Sequence, residues 1–418
     1  MKVDSKLNRR YLINEIRKID LRLMICYLLL IVCGLFIQLD ITSISGILPY
    51  FLKQFLISVI AIFFCLLIYL IWQIKWFKWS FWIFYIFTLG MLIYVLYFGD
   101  KTLGAIRSFD IPFMGKSFSV QPSLLARLVL VILFARVLSK REDKIENSSF
   151  IPFINNFFPL LLFSGVYYIL ILKENHLSAV LTSGFTLITL LFLANIRKAT
   201  IFILIFCVLL MGLVVIFFQK DGKFDFFKKH DTTELKLADE QHQDENMSFR
   251  QRRLESFNAS SLLIRWLTGN KSTQKISNNN LESIFCLSTG KLLGTGPDGG
   301  MGKLRYLNEP RTDFVFAIIT EEFGLLGALF VILLYMGLVL RGISISSHQK
   351  DMFARILGYG FSLNIFFNIV IHIGAVAGCL PTTGVTLPFI SAGGSSIVVN
   401  SMAIGILLIL GKPVEEKI

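Results

Sequence analysis

The chain has 418 residues, of which 55% are hydrophobic and 17% charged, with 40 phenylalanines and a mean hydropathy of +0.68. A water-soluble fold of this length cannot hide so much apolar surface, so the composition excludes an ordinary soluble enzyme and selects lipid as the solvent. The net charge of +13 is assigned to basic segments that orient membrane helices, not to a nucleic-acid partner.

Residues 1–21 form a basic tail carrying Lys2, Lys6, Arg9, Arg10, Arg17 and Lys18. The apolar run behind it is long enough to span and lacks a small-residue cleavage site, which predicts a retained first helix. Runs of spanning length lie at 22–39, 47–73, 78–98, 121–138, 151–172, 177–194, 199–218, 314–340, 354–376 and 392–411. They predict an all-α integral membrane protein with about ten transmembrane helices. The basic tail, Lys75/Lys78, Lys140/Arg141/Lys144, Arg197/Lys198, Arg341/Lys350 and Lys412/Lys417 then share one side. By the positive-inside rule that side is the cytoplasm, which places both termini there. The expected organisation is a tail at 1–21, spans one to seven in 22–218, a large extracytoplasmic loop at 219–312, spans eight to ten in 313–411, and a cytoplasmic tail at 412–418. Lys101, Arg107 and Lys116 fall on the opposite side. With Pro112, Gly115 and a phenylalanine-rich pattern, 101–120 is expected to lie in the membrane interface.

The 219–312 loop has two parts. Residues 228–280 are rich in Lys, Asp, Glu, Gln and Asn and read as a mobile polar segment. From Ser283 the chain turns glycine-rich. Gly294-Thr295-Gly296-Pro297-Asp298-Gly299 matches a dinucleotide fingerprint in letters only, because no βαβ unit surrounds it; these glycines are expected to permit a tight turn or a close backbone approach. Residues 379–396, with two prolines and three glycines at the bilayer edge, are expected to be re-entrant or to line a cavity. Cys26, Cys33, Cys65, Cys207, Cys286 and Cys379 form no CxxC pair and read mostly as small buried hydrophobes. No metal motif is present and no cofactor is implied; His176 and His372 read as satisfied structural groups.

Charges in or beside a span are costly, so each needs a reason. Arg127 lies about six residues inside the fourth span, while Asp313, Glu321 and Glu322 open the eighth, so Arg127 and Asp313 fall at similar depth and could pair, the alternative being a merely anchoring ion pair or snorkelling to the interface. On one continuous helix, Asp313 and Glu321 would stand about 80° apart, one carboxylate serving a site while another ties helices together.

The segment 302-GKLRYLNEPRTDFVFAIITEEFGLLGA-328 resembles the SEDS family (shape, elongation, division and sporulation) of RodA, FtsW and SpoVE, whose pattern is K-x-x-Y-L-P-E-x-H-T-D-F-I-F-A-x-x-x-E-E-L-G. Further matches are 380-LPTTGVTLPFISAGGSS-396, 104-GAIRSF with 121-QPSLLAR, and 174-ENHLSAV-180. The family's Glu and Lys in Q-P-S-E-x-x-K become Leu124 and Arg127, the Trp of R-W becomes Ser108, and Asn308 and Arg311 replace Pro and His. Asn368 and His372 stand where Gln and Asn are usual.

The resemblance implies a peptidoglycan glycosyltransferase that polymerises lipid II at the outer face of the bacterial cytoplasmic membrane, in elongation, division or sporulation. It implies a class B penicillin-binding protein as partner, besides membrane lipids. The family's essential Asp falls on Asp313, paired in the family with the Lys that is Arg127 here. The matched motifs add Gln121, Ser123, Lys303, Glu309, Thr312, Glu321, Ser391, Gly393, Gly394 and Ser395 as substrate-binding or supporting residues. Arg107, Lys116, Arg305 and Arg311 are candidates for holding pyrophosphate by charge. The alternatives are a lipid II flippase and a non-catalytic SEDS paralogue that regulates a penicillin-binding protein.

Overall fold

A computed structural model describes residues 18–45, 48–99, 101–102, 105–106, 108–113, 116–142, 150–174, 176–194, 278–297, 299–300, 302, 309–380 and 384–413. Residues 1–17 of the basic tail, the expected seventh span at 199–218 and the polar segment 228–277 lie outside the described residues. The described helices are α1 (Leu21–Ser45), α2 (Leu48–Ile71), α3 (Ile74–Trp79), α4 (Phe81–Phe98), α5 (Pro122–Ser139), α6 (Phe150–Lys173), α7 (Leu177–Leu193), α8 (Asn278–Thr289), α9 (Val315–Ser347), α10 (Met352–Val376) and α11 (Gly394–Leu410). Seven are long and apolar enough to cross a membrane, and two shorter apolar helices, α7 and α11, match the remaining expected spans among the described residues.

α5 and α10 bury 78% and 72% of their spans and form the centre, whereas α4 and α6 bury only 28% each and turn Phe, Ile and Leu side chains outward. α10 packs on α5, α7 and α9; α11 packs on α2; α9 packs on α1. The tightest crossings use residues without side chains: a Cβ on Gly405 of α11 would press on the Cys65 carbonyl of α2. In lipid, where apolar burial gives helices little reason to associate, such backbone-to-backbone packing supplies the attraction. Cys65 and Cys286 are buried, but Cys379 is exposed, contrary to the reading of a buried hydrophobe there.

Two departures from the sequence reading shape the functional end. First, 101–120 departs from the all-α expectation: β1 (Lys101–Thr102) pairs with β2 (Ala105–Ile106), and β3 (Phe109–Phe113) pairs antiparallel with β4 (Lys116–Val120), Pro112 opposite Ser117. The alternation in KSFSV is a strand period set among helix signals, and a hairpin lets the backbone satisfy itself locally. Second, α9 is not one continuous helix. Gly324 stands at φ 64°, ψ −165°, splitting it into Val315–Phe323 and a longer second half. Residues 384–393 run buried between helices: Leu387, Phe389, Ile390 and Ser391 are all nearly inaccessible, and Tyr335 donates its hydroxyl proton to the Pro388 carbonyl.

Candidate functional site

Asp313 lies on a turn, not on a helix. The backbone N–H groups of Thr312 and Asp313 donate to the Glu309 carbonyl at 3.2 and 3.1 Å, and α9 begins only at Val315. The angular relation expected between Asp313 and Glu321 on one helix is therefore replaced by a turn followed by a broken helix. Glu309 adopts φ +56°, a left-handed conformation that a non-glycine residue holds only when its surroundings enforce it. The buried segment holds the residues that follow Glu309. Ser391 Oγ donates to the Thr312 carbonyl at 2.7 Å while accepting the Leu387 N–H at 2.8 Å. The Ala392 N–H and Gln38 Nε2 both donate to the Arg311 carbonyl, at 2.9 and 3.1 Å. Motif residues about 80 positions apart in sequence thus form one backbone-clamped unit, with Asp313 half-buried at its end.

Beside this turn lies a cavity of about 320 Å³, lined by Glu309, Arg311 and Thr312 from the turn, Lys53 and Gln54 from α2, and Gly394 from α11, among others. Two cations and one carboxylate face the same space. The Arg311 guanidinium also stacks 5.0 Å from the centre of the Tyr50 ring, which limits its motion. Gln38, Tyr50, Lys53 and Gln54 were absent from the motif-based reading. The available signal was a lysine and two glutamines inside predicted spans, where polar groups need a purpose.

Arg127 sits elsewhere. It is buried in the bundle centre, where Nη1 donates to Asn368 Oδ1 at 2.5 Å and to Thr182 Oγ1 at 3.2 Å. The expected Arg127–Asp313 pair does not form. The guanidinium reaches across to α10 and α7, while Asp313 is held on the turn by contacts from α1 and the segment before α11. Two of the positions that depart from the family pattern, Arg127 and Asn368, meet each other. Above them Ser123 Oγ and Gln121 Nε2 lie 2.8 and 3.2 Å from His176 Nδ1, beside a second cavity of only about 20 Å³. His372 Nδ1 lies 2.6 Å from the Val385 carbonyl.

Glu321 belongs to a third arrangement. Its buried carboxylate accepts the Gly302 N–H at 3.0 Å, and burial, followed by the nearby Glu321 charge, pushes the Cys286 thiol on α8 up to about 12. Gly393 caps the start of α11, Gly394 opens it, and Ser395 is half-buried next to it. Lys303, Arg107 and Arg305 lie outside the described residues, as does the side chain of Lys116. Among the described residues no three His, Cys, Asp or Glu side chains gather as a metal site.

A family model described as cell cycle protein, for FtsW, RodA and SpoVE, matches residues 18–243 and 247–415. The chain belongs to the FtsW/RodA/SpoVE family. This FtsW/RodA/SpoVE protein is 29% identical over 318 residues to a probable peptidoglycan glycosyltransferase FtsW of Geobacter sp. (strain M18), covering 76% of this chain and 74% of the relative. It is likewise 29% identical over 319 residues to stage V sporulation protein E of Bacillus subtilis (strain 168), covering 76% and 75%. Among solved structures it superposes on a chain from a study of structural coordination of polymerization and crosslinking by a peptidoglycan synthase complex, with TM-score 0.68, 18% identity and coverage of 94% and 97%. Thermus thermophilus rod shape determining protein RodA gives TM-score 0.62 at 18% identity, covering 94% and 96%. These superpositions establish the fold: a multi-pass, helical membrane protein of the RodA type.

Proposed function

We propose that this protein is an inverting peptidoglycan glycosyltransferase that polymerises lipid II at the outer face of the cytoplasmic membrane. Asp313 is the general base. The observation that carries the reading is the clamped turn: a half-buried carboxylate, fixed through backbone contacts from Ser391, Ala392 and Gln38, stands next to a chamber bearing Lys53 and Arg311. In the reaction, the 4-hydroxyl of the GlcNAc on incoming lipid II attacks the anomeric carbon of the growing chain. Its proton passes to Asp313, and the bond to undecaprenyl pyrophosphate breaks. Lys53 and Arg311 offset the charge that develops on the pyrophosphate oxygens as it leaves. The base must be ionised and must stay put while a large lipid-linked substrate arrives, which a turn locked at both carbonyls provides and a free loop does not.

In this reading both termini are cytoplasmic, 219–312 is external, and a class B penicillin-binding protein crosslinks the strands. The second reading is a non-catalytic paralogue that regulates such a protein. It is favoured by the engagement of Arg127 with Asn368, which departs from the Asp partnership implied by the family pattern. The deciding experiment is glycan polymerisation by purified protein with its partner and lipid II. Asp313→Asn keeps shape and removes the proton acceptor, so polymer yield falls about 10²–10⁴-fold with folding intact. Wild-type yield from folded Asp313→Asn leaves the regulatory reading in front.

A further inference from the structure

The break in α9 is filled by another part of the chain. The described residues of 290–302, here called the strap, run beside it, with 290–296 lying across the break. Where the helix opens, the carbonyls of Glu321 and Glu322 lose their helical donors, and Thr295 and Gly296 supply N–H groups to them at 2.9 and 3.0 Å. Past the break, the Leu325 and Leu326 N–H groups donate back to the Lys291 and Leu292 carbonyls at 3.0 and 3.3 Å. Thr295 Oγ1 adds a bond to the Glu321 carbonyl at 3.1 Å. The approach is backbone on backbone: a Cβ on Gly294 would overlap the Glu322 carbonyl, one on Gly290 would overlap the Thr320 carbonyl, and one on Gly324 would overlap the strap. An open helix at membrane depth would leave these groups unsatisfied at several kcal/mol each, so the strap is what makes the break tolerable.

The strap is linked to the turn that bears Asp313 through one short stretch of helix. The Val315–Phe323 half-helix is short, with the Asp313 turn at one end and the strap-filled break at the other. The buried Glu321 carboxylate ties the far end of the strap by accepting the Gly302 N–H, seven residues before Glu309.

We propose that the strap and the break at Gly324 form a joint that fixes Asp313 relative to the cavity, with Glu321 as a positioning residue acting through Gly302 and not on substrate. The kinetic arm of this inference rests on the glycosyltransferase reading; the structural arm does not. A displaced base lowers the chemical step on the order of ten- to a hundredfold without weakening substrate binding. In full-length purified protein, Glu321→Leu therefore lowers kcat by that factor with KM for lipid II little changed. Glu321→Gln retains an acceptor oxygen for the Gly302 N–H and recovers most of the loss. Gly294→Ala, which forces the strap off the break, is as severe as Glu321→Leu or worse.

Hydrogen–deuterium exchange supplies the structural arm. Exchange in 309–323 rises in Glu321→Leu and Gly294→Ala, while 326–347 stays at the wild-type level. If Glu321→Gln is as inactive as Asp313→Asn, Glu321 acts on the reacting groups and the positioning role is overturned. If folded Glu321→Leu and Gly294→Ala exchange 309–323 like wild type, the joint is overturned whatever the activity. A wild-type protein that makes no polymer removes the glycosyltransferase reading alone, and exchange still decides the joint.

Discussion

Two of the polar regions inside this apolar bundle are built on opposite principles. The turn at 309–313 borders a chamber of about 320 Å³, and its charged side chains Glu309 and Arg311 face open space while its backbone is tied down. The Arg127 region has room for about one water, 20 Å³, and there the side chains do the tying: Arg127 to Asn368 and Thr182, Ser123 and Gln121 to His176. The first arrangement turns charged side chains toward a chamber. The second engages its groups in hydrogen bonds between helices. A cation inside a span is thus not a site until its donors have been traced, and Arg127 spends Nη1 on holding α5 against α7 and α10.

The largest effects break this comparison into activity and stability. Asp313→Asn lowers polymerisation about 10²–10⁴-fold and leaves thermal unfolding near wild type. Arg127→Ala does the reverse: it empties a packed position and deprives Asn368 Oδ1 of its donor, costing roughly 2–4 kcal/mol of stability. Arg127→Met refills the volume and removes a buried charge, so it recovers most of that loss. None of the Arg127 variants shifts the pH dependence of polymerisation, because the guanidinium does not touch Asp313. Melting curves and pH–rate profiles on the same preparations check all three. A shifted profile in Arg127→Met would restore the expected ion pair during turnover.

A smaller effect sharpens the account of the first region. Ser391 is buried and makes two bonds, one to each strand of backbone that the turn brings together. Ser391→Ala leaves the Thr312 carbonyl and the Leu387 N–H without that partner, at about 1–3 kcal/mol each. The expected outcome is a fall in kcat of about tenfold, since the loosened turn carries the base. Ser395→Ala, half-buried on the first turn of α11, is the comparison variant and should change kcat less.

How far these regions could be read in advance follows from how each signal is written. Spans are written in composition, so α1, α2, α4 and α10 fall where the apolar runs lie. The 309–313 and 384–393 segments were singled out by motif and irregular backbone, and they meet. Their clamp was not legible, because main-chain carbonyls accepting from Gln38 and Ala392 leave no mark in side-chain identity. The hairpins at 101–120 were missed because the helix signals around them dominate, although KSFSV alternates. The break at Gly324 was missed for a physical reason: glycine is common in membrane helices, and only the facing glycines at 290 and 294 reveal that a second backbone needs the space. The Arg127–Asp313 pairing failed because similar depth does not fix direction around a helix axis.

The smallest expected effect belongs to an Asp–Arg pair that does form, at the opposite end of the bundle. Asp20, just ahead of α1, accepts from Arg341 of α9 through Nε at 3.0 Å and Nη2 at 2.5 Å, and from the Leu23 N–H at 3.0 Å. Burial alone would raise the Asp20 carboxyl, but the Arg341 hydrogen bond, the Leu23 N–H and the charges of Arg341 and Arg22 outweigh it and hold it below the usual aspartate value. A lowered folded value contributes stability that is present above the unfolded aspartate value of about 3.9 and is lost as pH falls through the folded one. Arg341 is about one third exposed, so solvent screens the pair and its contribution is held to about 1 kcal/mol or less. Asp20→Asn should therefore lower the melting temperature slightly at neutral pH, and the gap to wild type should close on acidification below the aspartate range. Added salt should narrow the gap at neutral pH as well, whereas the Arg127→Ala deficit, arising in the buried centre, should be indifferent to salt. A salt-insensitive Asp20→Asn deficit would mean that the pair holds α1 to α9 by packing and geometry rather than by charge.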